Sequence, residues 1–295
     1  MSGEFLKIRA GKMRGYLNPD YDSDDVREFL KNPDRALVRG AELLKDSPTT
    51  TAAFVKVGVG GTEKEFHLKR ANNKGFLYSL ESLAKKSRPL RTYKNIMRLM
   101  AADIPTPTPV AAVEERRFGI LKRSFLITER ITGGANFYYW LKANFRNLPE
   151  LDRIATTKGF AAFVRKIHLA GITHGDLKCS NVIILPEERP FRFFITDLDA
   201  TRFSKNGWPL EAAVTEIARL SLSAYDTVDA EDRERFLKSY FDDACDADGW
   251  GEKNRFRRMA AIVMKKHLAR QRRKKKYPEE YFTYFETGAG KCPSD

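Results

Sequence analysis

The chain has 295 residues, 42% of them hydrophobic, and a formal net charge of +14. No apolar run approaches the roughly 18 residues that a membrane-spanning helix needs, and the charged N-terminus lacks the apolar core of a signal peptide, so we expect a cytoplasmic protein. Only three scattered cysteines occur, at Cys179, Cys245 and Cys292, which argues against a disulfide framework or a zinc site.

Residues 1–35 are predicted to form a lead-in to the folded part of the chain. Two turn signals, Asn-Pro-Asp at 18–20 and at 32–34, flank a short amphipathic stretch. We predict a helix from Asp24 to Leu30, with Ser23 as its N-cap.

Residues 36–131 have the pattern of a strand-rich first lobe. The runs ALVRGAELLK, TAAFVKVGV and EFHLKRA predict three antiparallel strands, separated by DSPTT and by a glycine turn at 58–61. Helical spacing follows over 76–102 and stops at the run PTPTP. Two further strands are predicted at 110–121 and 124–131.

Residues 132–295 have the pattern of a mainly helical second lobe, which begins at the turn Gly133-Gly134. Helices are predicted at 137–145 and 151–170, followed by the strands VIIL and FRFFIT and by further helix from about residue 210. The predicted fold class is therefore α+β with two lobes, an antiparallel sheet in the first and mainly helices in the second.

The segment HGDLKCSN at 174–181 fits the catalytic-loop pattern of kinases. An acceptor hydroxyl must lose its proton as it attacks a γ-phosphate, so we interpret Asp176 as the catalytic base. Oxygen atoms of Asn181 and Asp197 are predicted to bind Mg²⁺ that bridges the phosphates, and Lys178 to neutralise charge on the transferring group. Each residue alone has a purely structural explanation, such as a turn or a cap, but the whole combination favours catalysis.

The first lobe supplies candidates for binding ATP. Lys69 ends the alternating strand EFHLK, a position from which a strand lysine can reach the α- and β-phosphates, although such lysines are usually surface groups. Lys45 and Ser47 lie between the first two strands, where kinases place a phosphate-covering loop. The glycine cluster at 58–62 lies between the next two strands, so we interpret it as a hairpin turn.

The sequence resembles the lipopolysaccharide core kinases, the Kdo and heptose kinases of the protein-kinase-like superfamily. The resemblance rests on AELLKDSPTTTAAFVKV, EFHLKRANNKG, IPTPTPVAAVE, SFLITERI, IHLAGITHGDLKCSN, FFITDLDATRF and, more loosely, EIARLSLSAYD with ERFLKSYF. It implies a protein-kinase-like fold and phosphorylation, with ATP and Mg²⁺, of a sugar hydroxyl in the lipopolysaccharide inner core. The implied location is the cytoplasmic face of the inner membrane of a Gram-negative bacterium.

The resemblance also implies residue roles. Lys69 matches the nucleotide lysine of the family, and the roles inferred for the catalytic loop match as well. Backbone groups of Glu129 and Ile131 fall where the family would meet adenine.

The sequence departs from the family pattern at Thr92, which falls about where some relatives have a helix glutamate that pairs with the strand lysine. Lys69 is thus left without an evident partner, and Glu81 is the alternative. Asp-Leu-Asp at 197–199 replaces Asp-Phe-Gly, and Gly175 replaces the arginine that reads a phosphorylated activation loop. We therefore predict activity without activation-loop phosphorylation.

Residues 253–276 hold twelve lysines and arginines and no acidic residue. As a helix, this segment would gather Phe256, Met259, Ala260, Val263 and His267 on one side and cations around them. Such a segment could be a packed helix with a solvated face, or it could bind an anionic membrane or glycolipid. No nucleic-acid partner is expected, because no recognition motif or aromatic stacking platform accompanies the charge.

Three functions are compatible with these patterns. The leading one is an ATP-dependent kinase of a heptose or Kdo hydroxyl. The alternatives are a protein or small-molecule kinase on the same fold, and a catalytically weak nucleotide-binding scaffold.

Overall fold

The computed structural model describes residues 5–38, 41–72, 86–205, 207–224 and 226–241, and, further on, 258, 261–262, 265–266, 268–273 and 282. The chain divides into two compact units. The first comprises Met1–Thr132 with Asp197–Asp199, and the second comprises Gly133–Thr196 with Ala200–Asp295.

The described part of the first unit contains an antiparallel sheet of seven strands. Its order is β1-β2-β6-β7-β5-β4-β3. The strands are β1 (Leu6–Ala10), β2 (Met13–Leu17), β3 (Glu42–Ser47), β4 (Thr50–Val59), β5 (Thr62–Ala71), β6 (Pro109–Arg117) and β7 (Ile120–Glu129). The five strands predicted between residues 36 and 131 are thus present, and the glycine cluster lies in the β4–β5 hairpin, as predicted.

The first 35 residues do more than lead into the sheet. β1 and β2 add to its edge next to β6, so the expectation of a separate lead-in is wrong. Helix α1 (Asp24–Lys31) follows, and Ser23 caps it by accepting a hydrogen bond from the amide of Val26, as predicted. A short helix α2 (Asp34–Val38) occupies the start of the run that we predicted to be a strand.

The two faces of the sheet differ in chemistry. Side chains alternate along a strand, and on β5 Phe66 and Leu68 are fully buried in an apolar cluster that also contains residues of α1. His67 and Lys69 therefore point to the opposite face. Helix α3 (Arg88–Ala101) packs against β5, β6 and β7, and its N-terminal residues reach the region of Lys69.

The described part of the second unit is mainly helical. Its helices are α4 (Phe137–Asn144), α5 (Glu150–Leu169), α6 (Leu210–Ser223) and α7 (Ala230–Phe241), and its short strands are β8 (Ala135–Asn136), β9 (Ile172–Thr173), β10 (Val182–Leu185), β11 (Arg192–Ile195) and β12 (Arg202–Phe203). Aromatic rings from α4, α5 and β11 form the core, with Phe137 in contact with Phe160 and Phe193. The predicted α+β class is confirmed.

Within the described residues, no helix is both long enough and apolar enough to span a membrane.

Candidate active site

A row of paired residues crosses the sheet of the first unit. Strand pairing joins Lys45 to Ala52, Ala52 to Lys69, and Lys69 to Leu126. Directly opposed residues on neighbouring strands share a face, so Lys45 and Lys69 stand on the same face with backbones about 10 Å apart. Ala52, a small and buried residue, stands between the two lysines.

Lys69 makes two contacts with carboxylates. Its Nζ atom lies 2.6 Å from Oδ1 of Asp197 and 3.6 Å from Oδ2 of Asp199. The interpretation that Lys69 lacks an evident partner is therefore wrong. Glu81, the alternative partner, lies outside the described residues.

Asp199 is held by α3. Thr92 donates its hydroxyl hydrogen to Oδ1 of Asp199, and the guanidinium of Arg88 donates to Oδ2. Burial alone would raise the pKa of Asp199, but the charge of Lys69 and the bonds from Thr92 and Arg88 outweigh burial and lower that pKa. Asp199 is thus an ionised carboxylate at neutral pH, and it supplies the negative charge that Thr92 cannot.

The side of α3 that binds Asp199 also binds the backbone of the Asp-Leu-Asp segment. The side-chain amide of Asn95 donates to the carbonyl of Leu198 at 2.8 Å. Arg88, Thr92 and Asn95 are separated by four and three residues, which places them on one side of a helix. This spacing can be recognised in the sequence, but the segment that the three side chains contact cannot.

Ser47 and Lys45 have different surroundings. The hydroxyl of Ser47 accepts from the amide of Thr50 at 3.2 Å and donates to its carbonyl at 2.9 Å, so it closes the β3–β4 hairpin. The side chain of Lys45 is exposed and makes no ion pair with any other described residue. Of the two, only Lys45 has a polar side-chain group without a partner among the residues that the structure describes.

The end of β7 carries the two residues that were expected to meet adenine. The amide of Glu129 donates to Thr108 O at 2.9 Å, and its carboxylate accepts from the hydroxyl of Tyr21. Burial, followed by that carboxylate, raises the pKa of Tyr21. Ile131 lies just beyond the strand, and its backbone groups make no hydrogen bond to another described residue.

In the second unit, the loop after β9 carries Asp176. Lys178 Nζ lies 2.9 Å from Asp176 Oδ2, and the amide nitrogen of Asn181 donates to Asp176 O at 2.9 Å and to Oδ2 at 3.3 Å. The carboxylate is 53% exposed, so its oxygen atoms remain accessible from solvent. His174 is buried and fixes the turn, because its Nδ1 accepts from the amide of Asp176 and its Nε2 donates to Thr196 O.

Gly175 is required by the shape of this loop. It has a φ of +83°, and a Cβ atom there would lie 2.5 Å from Ala200 O and 2.8 Å from Ala200 Cβ. A side chain at position 175 would therefore meet both backbone strain and a steric clash. An arginine does not fit this loop as it is built.

Two residues of α6 hold the backbone of the loop that carries Asp176. The buried carboxylate of Glu216 accepts from the amides of His174 and Gly175 and contacts Nε2 of His168 at 3.0 Å, while Arg219 donates to Gly175 O at 2.9 Å. Burial alone would raise the pKa of Glu216, but His168 and the two amides outweigh burial and lower it. Glu216 is therefore a buried anion that fixes the catalytic-loop backbone.

The sequence places these loops in a known family. A model of the lipopolysaccharide kinase (Kdo/WaaP) family matches residues 44–240, which is more than half of the chain. The chain belongs to this family. Its members are kinases, and the protein is accordingly a phosphotransferase that acts on the lipopolysaccharide core.

One solved structure agrees with this lipopolysaccharide kinase in fold, and a second is more distant. WaaP in complex with acyl carrier protein is 19% identical, with a TM-score of 0.55 over 79% of this chain and 93% of that one. The PknI kinase domain of Mycobacterium tuberculosis is 14% identical, with a TM-score of 0.38 over 64% of this chain and 75% of that one. The family model and the match to WaaP confirm the predicted fold of the lipopolysaccharide kinases. No curated protein matches the sequence.

The oxygen donors of this lipopolysaccharide kinase fit the magnesium ion that a kinase implies. Among the described residues, no group of three or more His, Cys, Asp or Glu side chains forms a metal cluster by itself. Asp197 is 44% exposed, and its Oδ2 accepts no hydrogen bond from a described residue. Asn181 uses its nitrogen for Asp176, which leaves its Oδ1 for another partner. Mg²⁺ takes few protein oxygens and completes its shell with phosphates and water.

Sequence reasoning did not single out Asp199, Arg88, Glu216 and Arg219. Asp199 was visible as the second acid of the Asp-Leu-Asp motif, and Glu216 as an acid in the otherwise apolar helix EIARLSL. A charged residue on a buried helix face must have a partner, which is the signal that could have identified Glu216.

Proposed function

We propose that this lipopolysaccharide kinase transfers the γ-phosphoryl group of ATP to a hydroxyl of a heptose or Kdo residue in the inner core. The observation that carries the proposal is the hydrogen-bonded group of Asp176, Lys178 and Asn181 inside the family-matched range. A carboxylate that is exposed, oriented by an amide and paired with an exposed cation suits removal of the proton from the hydroxyl that accepts the phosphoryl group.

Asp176 is the catalytic base in this proposal. It accepts the acceptor hydroxyl proton as the new O–P bond forms and the bond between the γ-phosphorus and its bridging oxygen breaks. Asn181 holds the Asp176 carboxylate through its side-chain nitrogen. Lys178, 41% exposed, is free to turn from Asp176 toward the transferring phosphoryl group and to offset its charge.

ATP binds on the face of the sheet that carries Lys69 and Lys45. Lys69 contacts the α- and β-phosphates, and Asp199 keeps its ammonium group in position. Ala52 and Leu126 are both largely buried, and their side chains form the apolar surface that contacts the adenine ring of ATP. The free backbone groups of Ile131 and the carbonyl of Glu129 bind the adenine edge, and Ser47 supports the hairpin that covers the phosphates.

When bound, magnesium would supply charge neutralisation to the phosphates of ATP. Asp197 and Asn181 would hold it through their side-chain oxygens. Lys69 is paired with Oδ1 of Asp197, and it would exchange this contact for one with the phosphates when ATP binds.

The enzyme works at the cytoplasmic face of the inner membrane, and residues 253–276 contribute to that location. The described residues at 268–273 are helical, Leu268 is buried, and Arg272 lies 4.6 Å from the ring of Phe282. The apolar side expected for this segment falls on residues outside the described ones. Neutralising Arg270 and Arg273, which are both exposed, should weaken binding to anionic vesicles; unchanged binding would remove the segment from the proposal.

The experiment that tests the function is an acceptor panel. Labelled γ-phosphate from MgATP is offered to inner-core glycolipids that end in Kdo or carry heptose, and to a generic protein substrate. The proposal expects label in the glycolipid, at one sugar, without prior phosphorylation of the enzyme. Label in the protein substrate alone, or a need for prior phosphorylation, would contradict it.

A further inference from the structure

Two hairpin tips of the first unit carry five exposed cations. β1 and β2 join at residues 11–12, and β6 and β7 join at residues 118–119. Since Met13 pairs with Glu115, both tips lie at the same end of the sheet. The exposed cations around the groove between them, named here the hairpin patch, are Arg9, Lys12, Arg14, Arg117 and Lys122.

The charge of the hairpin patch is not neutralised by the acids beside it. Glu114 pairs with Arg116, and Glu115 pairs with Arg123. None of the five cations of the patch forms an ion pair with a described residue. Like charges that stand together without counterions create a positive potential that attracts an anionic surface.

Phe118 at the tip of the β6–β7 hairpin is unusual in both exposure and backbone. Its surface is 88% exposed, its φ is +52°, and Gly119 follows with a φ of +78°. Because Arg117 pairs with Ile120, Phe118 and Gly119 form a two-residue turn. Both have a positive φ, and asparagine and glycine are the residues favoured at such positions. A phenylalanine there is strained, and its largely exposed ring lies 5.4 Å from the guanidinium of Arg117, which is itself a cation of the patch.

We propose that the hairpin patch docks on an anionic lipid bilayer, with the ring of Phe118 inserted among the headgroups. Cations attract the acidic headgroups, and an exposed aromatic ring at the tip gains apolar contact at the interface. One isolated ring is a poor platform for nucleic-acid bases, which stack on several aromatic residues. The proposed lipid contact goes beyond the phosphotransfer reaction, and it rests on residues other than 253–276.

The first test compares the binding of full-length variants to phosphatidylglycerol and phosphatidylcholine vesicles. The double variant Arg117→Gln with Lys122→Gln should bind phosphatidylglycerol vesicles about tenfold more weakly than the parent. The matched control, Lys158→Gln with Lys238→Gln, removes the same charge from exposed positions of the second unit and should bind like the parent. Equal weakening in both, or equal binding of the parent to neutral vesicles, would overturn the proposal.

A second variant separates lipid contact from folding. Phe118→Asn places a favoured residue in the turn, so it should raise the melting temperature while it weakens vesicle binding about fivefold. Transfer to a water-soluble acceptor should stay at the parent rate in this variant. Lower binding together with a lower melting temperature would mean that Phe118 is structural, against the proposal.

The position of the tip can be measured directly. In Phe118→Trp, the added tryptophan should shift its emission to the blue and be quenched by bromine-labelled lipids when vesicles bind. Emission that stays that of an exposed tryptophan on bound protein would assign vesicle binding to another surface and overturn the proposal. Binding of the patch to a soluble acidic protein, with no binding to vesicles, would replace the lipid by a protein partner.

Discussion

Lys69 and Asp199 approach to 3.6 Å, and Thr92 and Arg88 hold the carboxylate of Asp199 in that position. The charge that a helix glutamate would supply comes instead from the second acid of Asp-Leu-Asp. Thr92 is thus a donor to the replacement carboxylate, and its presence no longer favours a catalytically weak scaffold.

Asp199→Asn should lower kcat/KM by about ten- to a hundredfold. The change removes one carboxylate partner of Lys69 and leaves Arg88 without its acceptor charge, and a charge-assisted hydrogen bond contributes about 1.5 to 3 kcal/mol. Steady-state kinetics with varied ATP measures the effect. Glu63→Gln, which breaks the exposed pair with Lys56 in the same sheet, should leave kcat/KM unchanged. Equal effects of the two changes would contradict this role of Asp199.

Gly175→Ala should lower the free energy of unfolding by more than about 2 kcal/mol, because a left-handed backbone and a close carbonyl act together. Gly133→Ala is the matched control: its φ is +71° and nothing lies within 4 Å of its added Cβ. That control should lose only about 1 kcal/mol. Denaturant unfolding gives both values, and a Gly175→Ala variant no less stable than the control would show that the loop has room for a side chain.

Glu216→Gln should lower kcat much more than it changes the KM for ATP. An amide nitrogen would face one of the backbone N–H groups of His174 and Gly175, which distorts the loop that carries Asp176. The free energy of unfolding should also fall, by about 2 to 4 kcal/mol, since a buried ionic network is broken. A lower kcat with a nearly unchanged KM for ATP would show that Glu216 positions the catalytic loop. A variant that is less stable but keeps the parent kcat would show that Glu216 has only a structural role.

His67 should make stability depend on pH. Burial, followed by the charge of Lys69, lowers the pKa of His67 to about 4. The unfolded chain therefore binds more protons than the folded one between about pH 4 and 6.5, so the stability that neutral His67 contributes is present above pH 6.5 and is lost as the pH falls toward 4. This loss amounts to at most about 3 kcal/mol. In His67→Gln the free energy of unfolding should fall less over this range, and parallel curves for variant and parent would contradict the assignment.

Local patterns in the sequence predicted the elements, while the contacts between distant residues were not predictable. Ser23 caps its helix through an amide three residues away, and the strands from 42 to 71 follow from alternation and turns. Thr92 and Asp199 are far apart in sequence, so nothing in the order of residues links them. β1 and β2 were missed because five-residue strands with alternating charges are weak signals until pairing with β6 stabilises them.

The candidate site shows the same division. The catalytic loop was recognisable because its residues are close in sequence, whereas Glu216 acts through backbone amides that carry no sequence signal. In the sequence, Gly175 could be identified only as the residue that replaces an arginine of the kinase pattern. Its φ and the nearby Ala200 give the physical reason for glycine.

The most direct test of the account is the single-turnover rate of γ-phosphate transfer to an inner-core glycolipid by the parent and by Asp176→Asn. Asparagine keeps the size and hydrogen bonding of the side chain but cannot take up the proton. The rate should be lower by about 10²- to 10⁴-fold in the variant, with the affinity for ATP unchanged. A variant that transfers phosphate at the parent rate would contradict Asp176 as the catalytic base and, with it, the proposed mechanism.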